Sequence, residues 1–501
     1  MAIKNKNEHM KKYSSFILII LAAISFTFSS CKKFLEEDPK NVIAITNYYQ
    51  TENDAIAAVN AIYAYLNSTS TGSTAGVYHS TFWVIAGCAS DEMINKNVFQ
   101  PDIDQISNFS ESPVNNSLEE TWTMHYKAIT LANIAISRIP VIQMDTILRA
   151  RLINEAHFLR GLLYFDMVRM FGSIPLVLQE EEPLTPVTAS VDDIYAQVIA
   201  DLTVAEDLPD SYTPGDGRGR ATKGAAKAIL AKVYLTQQNW QACADKCKEV
   251  INSNQYALWD DFADVFKLSS RGGKEAIFSV GFGDGGGSIS FWEVGQFNVR
   301  LLPPALSVDG VQNAQGWQVP TQNLYDEYDP QDRRREVTFI TQVYNPDGTI
   351  TTIDPYIRKY WDSTAEPQGN GSANDYPVIR YADVLLMYAE AENELGNTNE
   401  ALTYINMVRK RARWDGNVER SAVPDYAGLT QDEFRAAVLK ERRMEFVAEG
   451  QRWFDLVRTK TLETLVPIAK PGITPQDKHY LFPLPQYEVD LNPNLKQNPG
   501  Y

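Results

Sequence analysis

Apolar residues recur every three or four positions through two long stretches of the chain. In the first, Leu148, Leu152, Ala156, Leu159, Leu163, Met167 and Met170 step along one face of a helix. The same period predicts helices over about 52–66, 118–139, 191–207, 222–237 and 240–253, and in the second stretch over about 378–395, 398–412 and 431–449. Ser117-x-x-Glu120 and Thr430-x-x-Glu433 are capping-box patterns that would open two of these helices. Between about 255 and 375 the period is lost. There Gly, Pro, Asn, Asp and aromatic residues surround short apolar pieces, Ala276–Val280 and Val337–Ile340, and predict loops with short strands. Beyond about 461, Pro483, Pro485, Pro493 and Pro499 predict extended chain.

Two of the helical pairs share a spacing. Leu230, Ala231, Tyr234, Cys243, Cys247 and Val250 fall at the packing positions of a tetratricopeptide repeat, as do Tyr388, Ala389, Glu392, Ala401, Ile405 and Val408 around the turn Gly396-Asn397. Small residues at these positions let paired helices approach closely, and larger ones fill the groove between them. The fold class that follows is mainly α. It is an irregular tetratricopeptide-like scaffold of helical pairs, over about 45–254 and 376–460, with a loop-rich, short-strand insertion over about 255–375 that would carry the ligand side.

The first thirty residues change the picture of where the protein works. Lys4, Lys6, Lys11 and Lys12 precede the apolar run Phe16–Phe28, which is too short to span a bilayer and has the length of a secretory signal core. Ser29-Ser30-Cys31 then places small residues before a cysteine, like a bacterial lipobox. The expectation is a signal peptide over 1–30 and one mature domain over 31–501, lipidated at Cys31. The net charge is −17, and loss of the basic leader brings it to about −20. So acidic a surface excludes nucleic acid as a partner and leaves neutral ligands open.

Catalytic and metal signatures find little support. Cys243 and Cys247 lie on one helical face, where packing explains them. His79, His125, His157 and His479 are too far apart in sequence to make a ligand pair. Gly281-x-Gly283-x-x-Gly286 is followed by β-like, aromatic sequence, not by the helix that a dinucleotide site needs. Neither a cofactor nor a metal nor a catalytic residue is therefore assigned.

The aromatic residues sort by location. Trp122, Trp240 and Trp453 belong with periodic helices and read as core, whereas Trp259, Trp292, Trp317 and Trp361 lie in the insertion and Trp83 beside the Gly87–Asp91 turn. Pyranose rings stack on aromatic faces while Asn, Asp and Arg satisfy their hydroxyls. On that chemistry the candidate ligand-binding residues are Trp317, Trp292, Phe291, Asn298, Arg300, Trp83 and Asp91.

Five segments resemble the SusD/RagB family of outer-membrane nutrient-binding lipoproteins. They are Cys31–Pro39 (CKKFLEEDP), Glu155–Leu176 (EAHFLRGLLYFDMVRMFGSIPL), Arg380–Ala391 (RYADVLLMYAEA), Glu441–Leu456 (ERRMEFVAEGQRWFDL) and Tyr480–Glu488 (YLFPLPQYE). The resemblance implies a lipid anchor in the outer membrane facing the cell exterior. It also implies an oligosaccharide ligand, or a peptide in RagB-like members, and as partner a TonB-dependent transporter of the SusC type. Trp317 falls where relatives often carry a ligand-contacting aromatic. A peptide-binding uptake protein, a surface glycan hydrolase and a purely structural lid are the rival functions.

Overall fold

The structure is a computed structural model that describes residues 49–68, 76–181, 183–213, 217–283, 294–304, 314–345, 347–364, 371–414 and 416–501. The signal peptide, Cys31, Phe291 and Trp292 lie outside the described residues.

The amino-terminal part runs α1 (Glu52–Asn67), α2 (Thr81–Cys88), β1 (Met93–Asn95), α3 (Pro101–Ser107), α4 (Asn116–Arg138), α5 (Thr146–Phe171), α6 (Val191–Val204), α7 (Lys223–Thr236) and α8 (Trp240–Asn252). The predicted stripe of α5 is buried from Leu152 to Met170, but Phe158, Leu162, Tyr164 and Phe165 are buried too. The second half of α5 is thus enclosed on all sides by α4 and α6, and it ends at Gly172, whose φ of 73° favours glycine. The expected cap of α4 is displaced. Asn115, not Ser117, caps it by accepting from the Leu118 N–H at 3.2 Å, and the helix starts two residues earlier, at Asn116.

The insertion holds β2 (Ala276–Val280), α9 (Phe297–Leu301), β3 (Gln318–Pro320), α10 (Gln322–Glu327), α11 (Arg333–Thr338), β4 (Phe339–Tyr344), β5 (Ile350–Ile357) and β6 (Tyr376–Arg380). Among the described residues the strands form three separate antiparallel pairs, β1–β3, β2–β6 and β4–β5. The apolar piece at 337–340 is split, Val337 and Thr338 closing α11 before β4 begins. Residues 378–380, predicted as helix, complete β6, because their backbone pairs with β2 before the chain can turn helical.

The carboxyl-terminal part is α12 (Tyr381–Glu394), α13 (Thr398–Ala412), α14 (Gln431–Glu445), α15 (Arg452–Arg458), α16 (Leu462–Ala469) and α17 (Gln486–Leu491). Thr430 and Glu433 form the capping box read from the sequence. The helix it opens stops at Glu445 and not at 449, where Ala448 and Gly450 adopt positive φ. The tail beyond 461 is likewise more helical than its prolines imply, since Pro467 is accommodated inside α16.

Helix pairing follows the repeat spacing. α7 packs on α8 and α12 on α13, and α8 in turn packs on α12, so the two sequence-distant pairs are neighbours in space. Cys243 and Cys247 are fully buried free thiols in that contact. The turn between α12 and α13 uses Gly396 at φ 86°. Among the described residues no helix is long and apolar enough to cross a membrane.

Candidate functional site

The family-like segment at 441–456 is chemically unusual in being both charged and buried. On α14, Glu441 and Glu445 lie four residues apart and face the same side. Glu441 accepts from Arg334 of α11 and Arg409 of α13, each at 2.6 Å. Glu445 takes Arg380 at 2.6 Å and also pairs with Arg411 and Arg334. Glu449 continues the line with Arg380 at 2.8 Å and Lys359 at 2.7 Å. Burial alone would raise the carboxyl of Glu445, but Arg411, Arg380 and Arg334 hold it down at about 2. Arg442 bridges Asp383 and Asp455, and Arg452 reaches Asp91 through bonds of 2.7 and 2.8 Å. This buried spine joins α12–α15 to the insertion. Buried charges on this scale are tolerable only when each is paired.

The spine accounts for two sequence-predicted ligand residues. Asp91 is held between Arg452 and Arg443 in the interior, and Trp83 on α2 has no exposed surface and stacks on Phe297, ring centroids 5.2 Å apart. Asn298 is buried as well, clamping the backbone of Asp362 by donating at 2.8 Å and accepting at 3.0 Å. These three positions serve packing and pairing.

Trp317 and Arg300 are placed differently. β1 pairs with β3 in the register Met93↔Pro320, Ile94↔Val319, Asn95↔Gln318, and the Lys96 N–H donates to the Trp317 carbonyl at 2.7 Å. Trp317 therefore sits at the open end of this two-stranded sheet, half-buried. The guanidinium of Arg300 lies 5.2 Å from the centroid of its ring, a cation–π arrangement. Arg300 also donates towards Gln100 at 3.3 Å and Gln318 at 3.4 Å. Burial lowers its pKa to about 10, against the pull of Glu120, so it remains charged at neutral pH.

A second ring closes the other side. Tyr356 of β5 packs against the small core of Leu302, Ala314, Ile340 and Val343, and is half-exposed. Gly316 has a φ of 57°, and a Cβ built on it would lie 2.4 Å from the Tyr356 ring, so only glycine lets the two aromatics flank this turn. Lys96 stands 5.7 Å from the Tyr356 centroid and 3.8 Å from Asp354. Beyond β1, Val98 and Phe99 are 83% and 89% exposed. Asn95, Gln100 and Gln318 interlock behind them through amide bonds of 3.1–3.4 Å.

The face thus offers two partly exposed rings, an exposed phenylalanine, two cations and the side-chain amides of Asn95 and Gln100, with Gln318 fully buried behind them. Such a set can stack on an apolar sugar face and hydrogen-bond its rim. Lys96, Phe99 and Tyr356 were not singled out from the sequence. The available signal was the apolar Val98-Phe99 pair inside the polar run Asn95–Gln100, which no helical or strand period explains. Trp361 packs on the same small core as Tyr356 but lies under Arg358 at 5.3 Å and lines a cleft of about 780 Å³, while Trp259 carries Lys274 at 5.0 Å.

Comparison with known proteins bears on the whole chain. The sequence pattern of the SusD family matches residues 314–501, and that described as starch-binding, associating with the outer membrane, matches residues 33–235. The chain is 31% identical to SusD-like protein P2 of Formosa agariphila, across 98% of this chain and all of that one. It is 22% identical to the starch-binding protein SusD of Bacteroides thetaiotaomicron, over 85% of this chain and 86% of the relative. A solved laminarin-binding SusD-like protein superposes with a TM-score of 0.74 at 26% identity, covering 90% of this chain and 100% of that one. Full-length likeness of this kind, on a scaffold whose buried charges fall in the family's own segments, makes the chain a member of the SusD family.

Proposed function

We propose that the protein is a cell-surface glycan-binding lipoprotein that captures oligosaccharides and passes them to a TonB-dependent outer-membrane transporter of the SusC type. The observation that carries the binding step is the half-exposed Trp317 ring, backed by Arg300, with Tyr356 and Lys96 beside its turn. Stacking on Trp317 supplies most of the affinity, and the amides of Asn95 and Gln100 bias the choice of linkage. Binding names among its relatives, starch and laminarin, support a glycan as the ligand class. Cys31 carries the lipid that ties the domain to the outer membrane, on its outer side. Delivery into a pore requires the sugar to leave again, so modest affinity with fast release suits the role.

Calorimetric titration of the protein lacking residues 1–31 against laminarin and starch oligosaccharides tests this, with released reducing ends assayed in the same samples. Binding without product, weakened about 30-fold by Trp317→Ala with the fold intact, is the expected result. Product formation would establish a hydrolase, and binding of peptides but not glycans would establish the peptide-uptake alternative.

A further inference from the structure

A second cleft lies apart from the Trp317 face, between the loop before α7 and the loop that leads into β2. It encloses about 450 Å³ and includes Tyr212, Arg218, Tyr256, Arg271, Lys274 and Asp375 in its walls. Its floor continues into a small enclosed chamber of about 40 Å³ reached past Arg271, Gly272 and Asp375 and lined by Trp259 and Asn374.

The chamber contains polar atoms that the fold leaves unsatisfied. Asn374 is 3% exposed; its amide donates to the Phe266 carbonyl at 3.0 Å, but its Oδ1 has no partner. Asp375 Oδ1 is buried and also unpartnered. An acceptor left buried without a donor costs on the order of 1–3 kcal/mol, so two side by side in a cavity mark a place shaped for a donor that the chain does not supply.

The rim has the opposite character. Among the described residues, no carboxylate lies within ion-pair distance of Arg218 or Lys274, and Arg271 bonds only backbone carbonyls, of Leu268 and Ala373. Of the remaining charges, Arg220 is occupied by Glu155 and Asp210 faces Lys223 at 3.9 Å. Asp375 acts on Arg218 and Arg271 only from beyond ion-pair distance, so three cations around the cleft face one wall carboxylate left to them, a local positive excess in a chain of net charge −17. Arg218 Nη2 and Asp375 Oδ1 converge beside Gly281, each within ordinary contact distance, 3.6 and 3.7 Å, of where a Cβ on it would stand.

We propose that this cleft is a second binding site, selective for an anionic sugar residue, whose acidic group meets Arg218, Arg271 and Lys274 while its hydroxyls donate to Asn374 and Asp375. This rests on the oligosaccharide reading of the protein and adds to it a charge requirement at a different place. Tyr256 and Tyr212 on the wall provide ring surface for the sugar face. A carboxylate and a sulfate ester offer the same chemistry to the rim.

The test is titration of the protein lacking residues 1–31 with tetragalacturonate, its methyl ester and a sulfated galactan tetrasaccharide. The wild type is compared with the Arg218→Gln/Lys274→Gln variant and with Trp317→Ala, and each variant's melting curve confirms folding. Binding of at least one acidic probe, absent for the ester, weakened about tenfold or more in the double variant and kept in Trp317→Ala, is the expected result. Whichever acidic probe binds identifies the anion. Equal binding of acid and ester, unchanged binding in the double variant, loss in Trp317→Ala, or no binding of either acidic probe would overturn the proposal. Laminarin binding at Trp317 is scored separately, so failure here is distinct from failure of the glycan-capture function.

Discussion

The buried spine and the Trp317 face use the same residue types to opposite ends. Along the spine, Arg334, Arg380, Arg411 and Arg442 each meet carboxylates inside the core. At the Trp317 face, Arg300 meets a ring and two amides, and Lys96 meets a ring and one exposed carboxylate. Charge paired with charge in the interior fixes a geometry and leaves little to offer a ligand. Partial pairing at a half-exposed surface keeps donors and ring faces available. The difference separates what holds this protein together from what it presents.

The comparison breaks most sharply at Glu445. Glu445→Ala strands Arg380 and Arg411 without one of their carboxylates and is expected to cost about 3–5 kcal/mol in urea unfolding, with glycan affinity of the folded fraction unchanged. A loss below about 1 kcal/mol would show that the spine is not what holds α14 to the insertion.

Acid should act on the spine next. Glu445 stays ionised in the native state down to about 2, whereas its ordinary value is 4.5. Its contribution is therefore full above pH 4.5 and lost as pH falls from there through about 2, because the unfolded chain takes up the proton first. The melting temperature should decline through that window, and the decline should be shallower in Glu445→Gln.

Trp317→Ala inverts the pattern of Glu445→Ala. It should cost about 2 kcal/mol in glycan affinity and less than about 1 kcal/mol in stability, since the ring is only half-buried. Comparable losses in both would place Trp317 with the core. Gly316→Ala gives the smallest effect and touches both quantities. The strained φ and the Tyr356 ring in the way predict a cost of about 1 kcal/mol in stability and a several-fold weaker glycan affinity, read by melting and titration of one sample.

The segment that carries the spine stands out in the sequence by its resemblance to the family, whereas the burial and pairing of its charges, like the face, show in no local pattern. Glu441, Arg442, Glu445, Arg452 and Asp455 sit in a single segment, but partners such as Arg334, Arg380 and Asp91, which make their burial tolerable, come from far along the chain. The helices that carry them announce themselves by period, as do the α7–α8 and α12–α13 pairs. The face is assembled from 95–100, 300, 316–318 and 354–356, which no local pattern joins. Trp317 and Arg300 were recoverable by residue type alone. The same criterion also selected Trp83, Asp91 and Asn298, whose burial depends on contacts made from 64 to 361 positions away. The strand at 376–380 escaped for the same reason: β6 exists because β2 lies beside it.

Distance along the chain also sets an order in time. Asp91 and Arg452 are bonded across 361 positions, and the Ala448 N–H donates to Glu92 at 3.0 Å across 356. Until the last sixth of the polypeptide has arrived, the turn after α2 holds a carboxylate with no cation to meet. The amino-terminal helices can form early from their local contacts, but their closure around Asp91 must wait for the carboxyl-terminal segment. A chain that completes itself only when its end arrives stays open until then.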